Sequence, residues 1–588
     1  AEFDPWWQLA EKPSEAIKRV KREDSLHQPG IHAAYLDERA EQAGAKENLG
    51  SSVDRPVLAG LQPDLYRCFM EQTWRAMGMT GIAGLIHPES HFTELRAQVF
   101  RHETYRRLRR HAQFRNELRL FEIGNRRTFG THIYGRRSDV NFIHSGSVCH
   151  PDTVTRSLLH DGSGAAPGVK DNNGDWDQRP HLERIIHVDE DTLRTWAALI
   201  DEPGTPPAEA RMLYPVNRAS ADVLNKIANA PRLGDITFDW TRGWEEDRDR
   251  KLGLFESRSA VPTCWDDAIL QGPHLTVATP LYQQPFPNYR SFKDYSPIDL
   301  NSIGEGFVPR TNYQVAKPID EYIAAYPKWH NEPSSSFFRL GWREMCDVAT
   351  VRTLHSALLP PGPTHVHAVH SFILPGSHTG LAVIAGVSHS IIADFLIKVI
   401  GSGHVKPSTW KQIPFPIDHP LQAALIVRTL RLNCLVRPYA PLWEELYDEA
   451  WQQDSWVPGV GVNYAGRAPL GEVGKQWEWA TPLRRAADRR QALVEIDAIV
   501  AVMLGITADE LLTIYRTQFP VLQKYEREAL YDATGRQLPT KLASEYRKKG
   551  SLKPADLTDD GITYQEPFSC VDRKRDMQLA HQHFSSAP

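Results

Sequence analysis

Between Asp64 and Trp74, apolar side chains recur at Leu65, Phe69, Met70 and Trp74, the three-and-four spacing of one helix face. Gly81 to Pro88 then reads as a short buried strand that its proline ends. Leu95 to His111 reads as a second helix. From Asn116 to Ile123 the pattern alternates, with Leu118 and Leu120 on one face, and His132–Tyr134 with Val140–Ile143 reads as a hairpin-like pair of strands. Helix, strand, helix and strands in that order make half of an α/β sheet.

Further along, Asp189–Leu199 and Ala219–Ala230 have helical periodicity, and residues 236–420 mix short strands, turns and helices. Leu421–Leu432 and Asp488–Leu504 read as helices, the second with Leu493, Ile496, Val500, Met503 and Leu504 on one side and Gly505 past its end. Thr507-Ala508-Asp509-Glu510 opens the next helix as a capping box. The expected organisation is a polar arm or insertion over 1–60, in which Ser14–Lys21 is helical, and an α/β domain over 61–150. A loop and helical linker over 151–235 follows, then an α+β region over 236–420, a helical domain over 421–545 and an extended polar tail over 546–588.

A chain of 588 residues is too long for one domain. Its 41% apolar and 24% charged content is that of ordinary globular protein. No apolar run approaches the roughly 18 residues of a membrane span. The start Ala1-Glu2-Phe3-Asp4 has neither the basic region nor the apolar core of a signal peptide. It also lacks an initiator Met, so a processed or partial chain is expected. Six scattered cysteines with no C-x-x-C pair read as reduced residues of a cytoplasmic protein.

A net charge of −5 does not advertise a polyanion binder, but its distribution changes the picture. Arg96 to Arg137 holds twelve Arg and no Lys against three acids. Arg is favoured where phosphate is gripped bidentately. A basic face on a mildly acidic chain suits a polyanion cleft, or else is a solvated, ion-paired surface. Arg106, Arg107 and Arg110 are its central residues. The segment 171–182 lacks the Gly and Glu of a calcium loop. His365 to His404 holds six histidines without Cys or carboxylate at ligand spacing, so no metal is expected. Gly459-Val460-Gly461 has Tyr464 where a dinucleotide fingerprint needs its third Gly.

The block from Arg339 to Pro416 carries Trp342-Arg343-Glu344-Met345, Val351-Arg352-Thr353-Leu354-His355, Ser388-His389-Ser390-Ile391-Ile392-Ala393-Asp394, Gly401-Ser402-Gly403 and Lys411-Gln412-Ile413-Pro414-Phe415-Pro416. This order resembles the target-recognition region of large adenine-N6 DNA methyltransferases of restriction–modification and phage-exclusion systems. The closest likeness is to the adenine methyltransferase of the DISARM system, with type II fusion and BREX enzymes as neighbours. Gln62–Tyr66, Gly84–Pro88 and Phe129–Tyr134 resemble the parts that follow the catalytic loop in such enzymes. The resemblance covers about 61–145 and 230–540.

The resemblance implies the second half of a methyltransferase-type sheet, then an α+β target-recognition domain and a helical C-terminal region. It implies double-stranded DNA as partner, Phe129 stacking on a flipped adenine, and DNA contacts from Arg242, Lys293, Arg343 and Arg352. Arg352-Thr353 has a second reading, tying a strand to a helix cap. The cofactor motif and the Asn/Asp-Pro-Pro-aromatic loop of the family are absent from the sequence, the nearest match being Asp4-Pro5-Trp6-Trp7. S-adenosylmethionine is therefore expected to be held mainly by residues outside this chain, in an N-terminal methyltransferase half or partner subunit. Other defence-system proteins are further candidate partners. This chain alone is expected to be inactive, and the alternative is a non-catalytic DNA-binding specificity subunit.

Overall fold

The computed structural model describes residues 4–125, 127–171, 174–291, 294–347, 350–401 and 403–586. The chain is a mixed α/β protein with a helical C-terminal part. It divides into two compact units. The first comprises Ala1–His144, His187–Ala197 and Pro203–Met212, and the second comprises Ser145–Ile186, Ala198–Glu202 and Leu213–Pro588. The regions expected at 236–420 and 421–545 thus belong to one unit.

In the first unit the expected polar arm is a pair of exposed helices, α1 (Glu15–Leu26) and α2 (Ile31–Leu49). Gly30, at φ 79°, makes the left-handed turn into α2. α3 (Leu65–Ala76) starts at Asp64, whose carboxylate accepts from the Tyr66 N–H. Its predicted stripe divides: Met70 is buried, whereas Leu65 and Phe69 stand out at 60% and 65% exposure.

β1 (Ala83–His87) forms where expected, but it is buried only at His87 and leaves Ile86 58% exposed. The expected long helix is shorter, α4 (Gln98–Tyr105), and is followed by β2 (Leu108–Arg115). The Tyr105 hydroxyl donates to the Ala210 carbonyl at 2.9 Å, fixing that end of the helix. The alternation expected at 116–123 lies instead in β2, because residues 108–115 have a strand to pair with and 116–123 do not. β3 (Thr128–Tyr134) runs antiparallel between β1 and β2. β4 (Phe142–Val148) and β5 (Ile186–Val188) continue the sheet in the order β1-β3-β2-β4-β5. The expected hairpin of β3 with β4 is therefore absent, since β2 separates them.

Helices α5 (Glu190–Ile200) and α6 (Arg218–Ala228) lie within a residue or two of the periodicity that predicts them. In the second unit β6 (Asp239–Thr241), β7 (Arg339–Arg343), β8 (Ser356–Leu359) and β9 (Val369–Ile373) form an antiparallel sheet ordered β8-β7-β9-β6. The helices α7 (His378–His389), α8 (Ile391–Ile400) and α9 (Gln422–Asn433) follow. Next comes α10 (Ala486–Met503), buried on nearly every side rather than on one face. Gly505 takes φ 65° beyond it, and the Thr507–Glu510 box caps α11 (Ala508–Gln518). α12 (Pro520–Glu528) follows directly. The C-terminal region is not an extended tail: α13 (Arg573–Ser585) buries Met577, Ala580 and Phe584.

Four side chains of α10 are buried ions or their partners. Arg490 pairs with Glu526 of α12 at 2.7 Å and with Asp576 of α13 at 2.5 Å. Asp497 pairs with Arg573 of α13 at 2.6 Å and accepts the Ile391 N–H that opens α8 at 2.8 Å. Glu495 pairs with Arg428 of α9 at 2.7 Å, and Gln491 donates to Glu495 at 2.7 Å.

The second unit also folds around neutral histidines. Burial holds His355 and His389 down at about 3. Unfolded, each would take its proton near 6.5. Between those values the unfolded state binds the extra proton, so stability falls as pH falls from 6.5 towards 3. Acidifying from pH 6.5 to 4.5 is expected to cost roughly 2–3 kcal/mol through His389. Urea unfolding of the second unit against pH checks this, and His389→Gln should flatten the slope.

Candidate functional site

Of the three arginines in the Arg339–Pro416 block, Arg339 and Arg352 are buried and Arg343 is half-buried. Arg343, at the end of β7, donates through Nε to the Leu275 carbonyl at 2.8 Å, with its guanidinium 6.0 Å from the centre of the Tyr282 ring. Burial lowers it to about 10. Arg352 is nearly enclosed. Its Nε meets Asp394 at 2.5 Å, and its Nη2 donates to the His389 and Ser390 carbonyls at 2.8 Å each. Asp394 in turn accepts the Thr353 and Leu354 N–H groups at 2.8 and 3.2 Å. This knot ties the segment before β8 to the α7–α8 junction. The guanidiniums of Arg343 and Arg352, from which DNA contacts are expected, are engaged in this structure by the Leu275 carbonyl and by Asp394 with two buried carbonyls. Arg242 differs, its side chain being 53% exposed with Glu245 at 2.7 Å. Lys293 lies outside the described residues.

The first unit's arginines do not form one helical stripe. Arg106 and Arg107 follow the end of α4, and Arg110 is an exposed residue of β2. Arg106 reaches Asp139 at 3.4 Å. Arg107 pairs with Glu103 and lies 5.1 Å from the centre of the Trp74 ring. Phe129, on β3, is 6% exposed. It stacks on Phe114 with ring centres 5.5 Å apart and meets Phe121 edge-on at 4.8 Å. A base could share this ring only after displacing Phe121, itself 43% exposed.

The sheet also assembles a group that sequence spacing did not reveal. His87, Glu89, His91, His111, His132 and His144 are all buried. His87 ends β1, His111 lies in β2, His132 in β3 and His144 in β4, so they converge only once the strands pair. His87 and His132 stack with ring centres 3.7 Å apart. His87 Nε2 meets the Tyr134 hydroxyl at 2.9 Å, and Nδ1 meets the Pro88 carbonyl at 2.7 Å.

His111 faces Glu89 through Nε2 at 2.5 Å and His144 Nδ1 through Nδ1 at 2.8 Å. Burial holds His87 at about 4 and His111 at about 3, and carries His91, His132 and His144 well down. The same burial pushes Glu89 up to about 8. Burial thus disfavours the charged form of both partners of the Glu89–His111 contact. Sequence reasoning weighed the histidines at 365–404 instead. Each of β1, β2, β3 and β4 carries one histidine, and only the pairing of the strands brings them together.

Asp4, in the nearest match to the family's catalytic loop, is bound to Lys21 at 2.9 Å and to the Ser25 hydroxyl at 3.0 Å. A side chain at Gly461 would meet Gln491.

No protein-family model matches the chain, and no curated protein does. Among solved structures, it is similar to the type IIG restriction endonuclease BpuSI, with 11% identity and a TM-score of 0.24 over 75% of this chain and 49% of that one. It is also similar to the type IIL restriction-modification enzyme MmeI in complex with DNA, with 9% identity and a TM-score of 0.31 over 82% of this chain and 55% of that one. This chain spans about half the length of both. Likeness at these TM-scores assigns neither an activity nor a partner. No described helix is long and apolar enough to cross a membrane by itself.

The two classes of arginine separate experimentally. Arg352→Met strands Asp394 without its counter-ion and is expected to cost about 3–5 kcal/mol of unfolding free energy. Arg242→Gln is expected to change stability by less than about 0.5 kcal/mol. Urea denaturation of both variants gives the comparison.

Proposed function

We propose that this chain is the DNA-recognition and base-presenting part of an adenine-N6 DNA methyltransferase of the restriction–modification and phage-defence kind, with the cofactor and catalytic loops supplied by a partner polypeptide or segment. The observation that carries this reading is the open edge of the first unit's sheet. β1 is the terminal strand, and no described strand pairs with its outer side. Its Ile86, the preceding Ile82 and the Leu65 and Phe69 side chains of α3 are 58–75% exposed. Natural edge strands are usually kept short, charged or covered, because their free N–H and C=O groups recruit other strands. Exposed large apolar side chains beside such an edge mark a surface that a further sheet would bury. A methyltransferase half presenting a strand fits both features.

The DNA reading rests on the exposed arginines. Arg110 in the first unit and Arg242 in the second each present a guanidinium to solvent. Such groups grip phosphate and set register rather than read sequence. Phe129 would present the flipped base, with Phe121 swinging aside; base flipping needs such a flat partner. The alternative, a non-catalytic specificity subunit, uses the same exposed arginines and needs no completed sheet.

Duplex binding measured by fluorescence anisotropy across salt concentrations tests the DNA reading. A clearly negative log–log slope is expected, and Arg110→Gln and Arg242→Gln should each reduce its magnitude by about 1. A slope near zero would overturn it. Ile86→Asp separates the two roles. Methylation by the assembled enzyme should fall while duplex binding by this chain is unchanged; full methylation would favour the specificity-subunit reading.

A further inference from the structure

We propose that Glu89, His111 and His132 form a binding site for a divalent first-row transition metal ion, zinc foremost, which clamps three strands of the first unit's sheet together. The three residues each offer a ligand atom, and those atoms lie within 4.8 Å of one another. All three side chains are buried. Two imidazoles and a carboxylate are a recurrent donor set for zinc and for iron(II).

Two further observations point to a ligand here. Neither ring nitrogen of His132 makes a hydrogen bond of good geometry, although the residue is fully enclosed; its polar neighbour is the backbone of Leu85 on the paired strand. Buried polar atoms in native proteins are nearly always well satisfied, so an imidazole with at most one strained backbone partner has a nitrogen left to offer a ligand. The second observation is Gly130. A β-carbon there would stand 2.6 Å from His132 Nε2 and 2.9 Å from Glu89 Oε1. The missing side chain is what lets these two donor atoms approach each other across the strand.

The surroundings suit a metal ligand set. His111 meets Glu89 through Nε2 and is oriented by His144 through Nδ1. Ligating histidines ordinarily hand their other N–H to such an acceptor, which fixes the ring. His87 is not a ligand, because both its nitrogens already face the Tyr134 hydroxyl and the Pro88 carbonyl. Phe92 packs against the rings of His111 and His132, at 5.3 and 5.8 Å between centres, and makes the apolar wall.

An ion with bonds of about 2.0–2.1 Å would draw the donor atoms to roughly 3.3 Å apart. It would part Glu89 from His111 by under an ångström and displace the proton they share. The ligands come from the segment after β1, from β2 and from β3, so one ion would link three strands.

Untagged full-length chain, purified without chelator, tests this by elemental analysis and by Zn²⁺ titration against a competing chelating dye. Stoichiometric zinc, with X-ray absorption showing imidazole and oxygen donors and no sulfur, is expected. His132→Gln should abolish tight binding, and His144→Asn should weaken it roughly 10–100-fold. Stripping the metal should lower the thermal midpoint of the wild-type chain. A folded wild-type chain that neither retains nor takes up zinc would overturn the site, and that measurement needs no variant. Uptake unchanged in both variants would place the zinc elsewhere and overturn it equally.

Discussion

The second unit depends on burying charge around one helix. α10 runs through the packed interior, burying Val494, Ile496, Ile499 and Val500 together with charged side chains. Arg490, Glu495 and Asp497 reach Glu526, Asp576, Arg428 and Arg573 from three other helices. Each such ion would cost several kcal/mol to desolvate alone, and the pairs offset that cost only with good geometry. The arrangement fixes which helices meet and in which register. It explains why the last helix of the chain is an integral part of the unit, since Arg573 and Asp576 complete pairs that α10 begins. Removing one partner would leave an uncompensated buried charge, a far larger loss than any exposed ion pair on this protein would bring.

Arg352 belongs to the same logic. Its guanidinium fits the carboxylate and carbonyls of the α7–α8 junction, and Asp394 caps the N–H groups of Thr353 and Leu354. A basic residue in a block that resembles a DNA reader is thereby part of the scaffold. The groups left to meet a polyanion are those on exposed strand and turn positions, such as Arg110 and Arg242. The first unit has a different constraint. Its sheet buries aromatic and imidazole rings, and among the described residues β1 has a partner on one side only.

Several elements were legible in sequence because their causes are local. The Asp64 cap, the Thr507–Glu510 box, the Gly505 stop and the periodicity of α5, α6 and α9 depend on neighbours within a turn or two. The region from Leu95 to Ile123 was not legible in the same way. Apolar spacing there is compatible with a helix, and only pairing with β3 makes residues 108–115 a strand. The tail misled for a related reason: α13 is polar by composition, and its burial follows from ion pairs with residues about eighty positions earlier.

The candidate sites divide along the same line. The chain by itself determined that arginines cluster at 96–137 and that the 339–416 block carries Trp342-Arg343, Arg352-Thr353 and a Gly401-Ser402-Gly403 turn in that order. Tertiary structure decided which of those arginines are free to act, because burial and partner choice depend on residues distant in sequence. It alone brought Glu89, His111 and His132 together. Their separations of 22 and 21 residues carry no ligand spacing, and strand order β1-β3-β2, a property of hydrogen bonding between distant segments, sets them face to face.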